Sequence, residues 1–166
     1  TITGCENTGA IDCPDKNSAS ENMKSTSSAS IVTYVGGISS GAGNDGARTS
    51  KTFTNCINRG AITMYNQCWT RLGGVVGYAN QNPSGCENHG KIVYYRKAGG
   101  YNSENGAVGG VVGYINIAKV SNLTNTGGVQ TTGSGPNCYP GGIVGHEGGN
   151  MNTMENCNVG KSGINI

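Results

Sequence analysis

The chain has 166 residues, 30 of them glycine, and 11 basic against 9 acidic side chains leave a formal net charge of +2. So even a balance excludes the basic stripe that nucleic-acid binding needs, and no apolar run is long enough for a membrane-spanning helix. Leu, Ile, Val and Phe together number only 27, which excludes a thick core and leaves a fold only if the few apolar residues fall in register.

They do fall in register, because two short motifs alternate along the chain. Cys5-Glu6-Asn7-Thr8-Gly9-Ala10-Ile11 opens the series, followed by a Ser/Gly-rich insertion over 12–34 and a degraded Gly36-Gly37-Ile38-Ser39. After a second insertion over 39–52, the first motif returns as Cys56-Ile57-Asn58-Arg59-Gly60-Ala61-Ile62, and then Gly73-Gly74-Val75-Val76-Gly77-Tyr78 follows. Cys86-Glu87-Asn88-His89-Gly90-Lys91-Ile92 precedes a third insertion, over 93–107, that carries Tyr94, Tyr95, Arg96, Lys97 and Tyr101. Gly109-Gly110-Val111-Val112-Gly113-Tyr114 comes next, then a copy of the first motif at 123–129 with Leu123 in the Cys slot and Asn125 in the Asn slot. Gly141-Gly142-Ile143-Val144-Gly145-His146 and a shifted copy around Cys157, with Val159 at the Asn position, close the series.

Asn58, Gly73 and Asn88 stand 15 residues apart, and Gly109, Asn125 and Gly141 stand 16 apart. A unit of about 30 residues built from short β-branched runs bounded by glycine reads as a stack of strands. It is too short for a four-stranded propeller blade. The expected fold is all-β: a single parallel β-solenoid of about four to five coils over 1–166, with Gly/Ser-rich loop insertions.

Alternation along a strand puts Cys, Asn, Gly and Ile of the first motif on one inward face. Asn7, Asn58, Asn88 and Asn125 are then expected to form a hydrogen-bonded ladder, coil over coil, as Asn side chains do in cross-β stacks. Cys5, Cys56 and Cys86 form a rank beside them. Adjacent coils set Cys56 and Cys86 about 5 Å apart at Cα, with parallel Cβ vectors that favour buried thiols over a relaxed bridge. The connecting cysteines Cys13, Cys68 and Cys138 are expected to form disulfides, with one of the seven left over. Tyr78 and Tyr114, with His146 in the same slot, are expected to stack along one edge.

The alternation of Gly-Gly-Ile-Val-Gly-Tyr with Cys-x-Asn-x-Gly-x-Ile resembles the GLUG-type repeats of bacterial cell-surface proteins, found in secreted proteases and adhesins. The resemblance runs from Cys5 to about Gly160. It implies a β-solenoid spacer or adhesive region at the cell surface and supplies no catalytic residues.

The residues themselves point the same way. Both histidines are explained by repeat slots, no rank of carboxylates recurs for acid–base work, and no Cys-x-x-Cys pair marks a zinc ribbon. No cofactor motif stands up: Gly160-Lys161-Ser162 has Glu155 where a phosphate loop needs glycine. An extracellular compartment is expected, and Asn122-Leu123-Thr124 is a glycosylation sequon, making Asn122 a candidate for modification.

Neither end of the chain carries a recognisable cap, so the reading is a non-enzymatic extracellular subunit. It would pair with itself head to tail into a filament, or with neighbouring repeats of a longer chain, with the Asn and aromatic ladders running through the junctions. The alternative is an adhesin module that grips glycans through the loop of Tyr94, Tyr95, Arg96, Lys97 and Tyr101.

Overall fold

The computed structural model describes residues 1–13, 32–41, 51–66, 69–96, 106–117, 119–133, 138–149, 151, 153–161 and 164–165. These residues form strands without a helix, and every strand pairing is parallel. Parallel pairing follows from the repeat. A strand returns to its sheet only after the rest of a unit has passed through other sheets.

The first motif supplies a five-stranded sheet in chain order: Glu6–Asn7, Ile57–Asn58, Glu87–Asn88, Thr124–Asn125 and Asn158–Val159. The residues after it form a second five-stranded sheet of Ile11–Cys13, Ile62–Asn66, Ile92–Arg96, Val129–Gly133 and Ile164–Asn165. The strands entering and leaving the Gly-Gly corners make two four-stranded sheets. Val32–Gly36, Trp69–Gly73, Gly106–Gly109 and Cys138–Gly141 form one; Ser39–Gly41, Val76–Ala79, Val112–Ile115 and Val144–Glu147 form the other. Two strand pairs, Ile2–Thr3 with Phe53–Thr54 and Lys119–Ser121 with Thr153–Glu155, complete the stack.

Most glycines of the motifs mark places where backbone meets backbone. A Cβ on Gly73 would lie 2.1 Å from the carbonyl oxygen of Val76, across its own corner. One on Gly74 would lie 2.1 Å from Gly110 O and 2.4 Å from Asn88 Cγ. One on Gly77 would meet the carbonyls of Arg71 and Val35 within 2.8 Å, because the two four-stranded sheets lie directly on each other there. In the first motif, a Cβ on Gly90 would stand 1.9 Å from Gly60 O of the preceding unit.

The apolar residues divide into two columns on either side of the Asn–Gly seam. Phe53, Cys56, Cys86, Leu123, Val75, Val111 and Ile143 belong to one. Ile62, Met64, Leu72, Ile92, Tyr94, Val108 and Val129 belong to the other. A thin core suffices because each unit covers the next.

Three expectations need correction. The insertion assigned to 93–107 begins later: Val93–Arg96 continues the strand from Ile92, and Gly106 already starts another. The reason is alternation, since Ile92 and Tyr94 fill core positions in register with Ile62 and Met64. The insertions at 12–34 and 39–52 shrink in the same way, because Ile11–Cys13, Val32–Gly36 and Ser39–Gly41 are strands. The degraded copy at Gly36 keeps its register, with Ser39 opposite Val76.

Candidate functional site: the stacked ranks

The four asparagines form one continuous chain of side-chain hydrogen bonds. Asn7 Nδ2 donates to Asn58 Oδ1 at 2.8 Å, Asn58 Nδ2 to Asn88 Oδ1 at 2.8 Å, and Asn88 Nδ2 to Asn125 Oδ1 at 2.9 Å. The first three also donate to the glycine carbonyl two residues on: Gly9 at 2.9 Å, Gly60 at 2.9 Å and Gly90 at 2.8 Å. One amide therefore both closes its own turn and ties two units together. Asn58 and Asn88 are fully buried, so these bonds are made where water cannot substitute.

The ladder stops one unit before the last strand. Val159 stands opposite Asn125, and Asn125 Nδ2 donates instead to Gly142 O at 2.8 Å. The aromatic rank is interrupted too. Tyr78, Tyr114 and His146 stack at centroid distances of 5.6 and 5.3 Å, but Gly41 holds the position preceding Tyr78. If copies stacked head to tail in the same register, Val159 would stand opposite Asn7 and His146 opposite Gly41.

The Arg71 guanidinium lies 3.8 Å from the Tyr114 ring centroid and 5.0 Å from that of Tyr78, and Tyr139 leans on His146. Cation–π contacts of this kind add to the packing of a strip already half-covered. On the outer face of the asparagine sheet, the His89 ring nitrogens lie 2.6 Å from Thr126 Oγ1 and 2.8 Å from Glu87 Oε2. Arg59 pairs there with Glu6 across one step of the stack. Such exposed pairs fix little stability.

Cys56 and Cys86 are buried thiols and Cys5 is exposed at the outer edge. Cys56 Sγ donates weakly to the carbonyls of Thr54 and Ile2, at 3.5 and 3.6 Å. Burial pushes the Cys86 thiol up to about 11, opposed by a hydrogen bond with the Cys56 backbone and reinforced by the Cys56 side chain and the Glu87 carboxylate. Cys13 and Cys138 are also free thiols, raised chiefly by burial. The disulfides expected of them are absent among the described residues, and Cys68 lies outside those residues. Below pH 9, the ordinary value for a thiol, Cys86 is neutral whether folded or not. As pH rises from 9 towards 11, only the unfolded chain loses that proton, so stability falls. Alkylation at pH 8 should mark Cys5 at once and Cys56 and Cys86 only after unfolding, without reductant, read by peptide mass. Failure to label Cys56 and Cys86 in denaturant would mean they are bridged.

Of the aromatic and basic residues assigned to a surface loop, Tyr94 is 1% exposed, with its hydroxyl donating to Thr70 Oγ1 at 3.3 Å. Tyr95 points the other way and stacks on Tyr65. Arg96 ends the same strand, and Lys97 and Tyr101 lie outside the described residues. Asn122 is exposed and has φ of 56°, and it belongs to a rank the sequence reading passed over. Gly4, Asn55, Gly85, Asn122 and Asn156 each precede the Cys slot, with φ between 52° and 65°. The left-handed conformation admits glycine and asparagine readily and other residues at a cost. The restriction of that column to Gly and Asn was the available signal.

Among the described residues, no three His, Cys, Asp or Glu side chains converge as they would on a metal ion. Compared with protein-family models, with curated proteins and with solved structures, the chain matches none.

Proposed function

We propose that this chain is a parallel β-solenoid of five coils and a structural subunit of a cell-surface fibre, built by end-to-end stacking of its copies. The observation that carries the reading is where apolar surface remains. Of the four exposed large hydrophobic side chains among the described residues, Tyr139, Met154 and Val159 all lie on the final strand of their sheets. The opposite edge offers matching chemistry, since Ile2, Ile38 and Cys5 continue the same ranks. Carrying the register onward sets Met154 beside Ile2, Cys157 beside Cys5 and Tyr139 beside Tyr34 of a second copy. A head-to-tail contact that does not close makes a fibre. The surface location rests on the motif resemblance.

The glycan-gripping alternative loses its leading residue, because Tyr94 belongs to the core and its removal would disturb the fold before any binding. The stacking reading has a sharper test. A Cβ on Gly9 meets nothing closer than Asn7 Oδ1 at 3.7 Å, whereas the same atom on Gly60 would strike Gly9 O at 2.0 Å. In a fibre that continues the register, a methyl group added at Gly9 would meet the backbone of Lys161 of the second copy, which holds the position two past Val159. Gly9→Ala should therefore fold as the parent does, by circular dichroism, while its critical concentration for fibres in negative-stain microscopy rises at least about tenfold, or about 1.4 kcal/mol per junction. Fibres from both proteins at one concentration, or short rods from the parent at every concentration, would sink the proposal.

A further inference from the structure

We propose that Tyr65 and Tyr95 are a site of oxidative modification, joined ring to ring into a dityrosine that staples two neighbouring repeat units within one copy. The pair sits on the outer face of the sheet containing Ile62–Asn66 and Ile92–Arg96, where the two residues are direct register partners. Their rings lie nearly parallel, with centroids 4.4 Å apart and planes inclined by 10°. Tyr65 is 41% exposed, so an oxidant in solution reaches it, and Tyr95 is half-covered beneath the same surface. Partial desolvation, the Tyr95 phenol and the Asp12 carboxylate hold the Tyr65 phenol above its usual range, so it is neutral at physiological pH.

The other tyrosine contacts among the described residues lack this combination. Tyr78 and Tyr114 stand 5.6 Å apart, Tyr78 is 8% exposed, and Arg71 lays its positive charge 3.8 Å from the Tyr114 ring, which opposes loss of an electron from it. Tyr34 meets Tyr78 edge-on at 6.1 Å. Tyr139 is exposed, but its ring neighbour is His146.

The chemistry balances with a peroxide as oxidant and a haem peroxidase to deliver it. Each phenol loses one electron and one proton, giving two phenoxyl radicals. A carbon–carbon bond forms between the ring positions beside the two oxygens. The hydrogens displaced from those carbons then move to the oxygens, restoring both aromatic rings. Hydrogen peroxide takes up the two electrons and two protons and becomes two waters. Stacked rings must swing edge to edge for that bond to form, and Tyr65 has the solvent-facing room to do so. The link closes a loop of about 30 residues between neighbouring strands, which restricts the unfolded chain as a disulfide does.

The test treats dilute, folded protein with a haem peroxidase and hydrogen peroxide, then reads dityrosine fluorescence and maps the peptides. The expected product is a peptide pair containing Tyr65 and Tyr95, two hydrogen atoms lighter than the sum, in a yield independent of protein concentration. It should unfold at a higher urea concentration than the untreated chain. Tyr65→Phe and Tyr95→Phe, which keep the stacked ring and should keep the parent's circular dichroism, should lower the fluorescence at least about tenfold; Tyr139→Phe should leave it unchanged. A link between other tyrosines, a yield that grows with protein concentration, or full signal from Tyr65→Phe would overturn the assignment. Because the link forms within one copy, the result does not depend on whether copies stack.

Discussion

Replacing Gly90 with alanine is expected to destabilise the fold by about 3 kcal/mol or more, while the same change at Gly9 should cost almost nothing. Both glycines hold the same motif position, so local propensity and turn geometry are matched. The difference lies in what precedes them. The added carbon at Gly90 would sit 1.9 Å from Gly60 O and 2.6 Å from its carbonyl carbon. Those are backbone atoms of the neighbouring strand, fixed by the hydrogen bond of His89 N to Asn58 O at 2.7 Å. No rotamer change relieves such a clash, and parallel strands keep a spacing of about 4.8 Å. The sheet has to open locally, and a loss of that size is a large fraction of the roughly 5–15 kcal/mol that domains typically have. Equilibrium urea unfolding of the two variants checks it. Equal midpoints would mean that the close backbone approach at Gly90 is not present in solution.

The same contrast shows what the sequence makes legible. The alternating motifs expose strand direction, register and the inward face, because a period of 2 inside a period of about 30 admits little else. The asparagine, cysteine and Tyr78–Tyr114–His146 ranks follow from that periodicity directly. What the motifs conceal is how the two meet. Nothing in Gly-Gly-Val-Val-Gly-Tyr announces that its second glycine lies against the Asn side chain of the other motif, yet Gly37, Gly74 and Gly110 meet Asn58, Asn88 and Asn125 in turn. That contact depends on how a unit closes in space. The fate of Tyr94 and Tyr95 is legible too, but only beyond the motif. A cluster of tyrosine, arginine and lysine near glycines resembles a binding loop, but Ile92-Val93-Tyr94-Tyr95 aligns residue for residue with Ile62-Thr63-Met64-Tyr65. Extending the repeat alignment three residues past each motif separates the core tyrosine from the surface one.

Asn88→Ala should produce the largest loss of any ladder substitution, about 3–5 kcal/mol, against about 1 kcal/mol for Asn7→Ala. Asn88 receives a hydrogen bond from Asn58 and donates to both Asn125 and Gly90, and all its partners lie in a buried seam. Removing it orphans an amide proton and a carbonyl on either side, each costing about 1–3 kcal/mol when water cannot replace the partner. Asn7 is half-exposed at the edge, so water replaces most of what its loss removes. Asn88→Asp separates hydrogen bonding from volume. The carboxylate can accept from Asn58 but has no proton to give Asn125 Oδ1, and burial raises its pKa above that of the unfolded chain. Its stability should therefore be poor at neutral pH and recover as pH falls through the raised value, where the protonated acid regains a donor. Urea midpoints for the three variants across that range give the answer. A flat pH profile for Asn88→Asp, with a cost no larger than that of Asn7→Ala, would show that the stacked amides fill space without bonding the units together. The observed run of donor to acceptor from Asn7 to Asn125 argues the opposite: each unit is fastened to the next at its centre, so the stack unfolds as one.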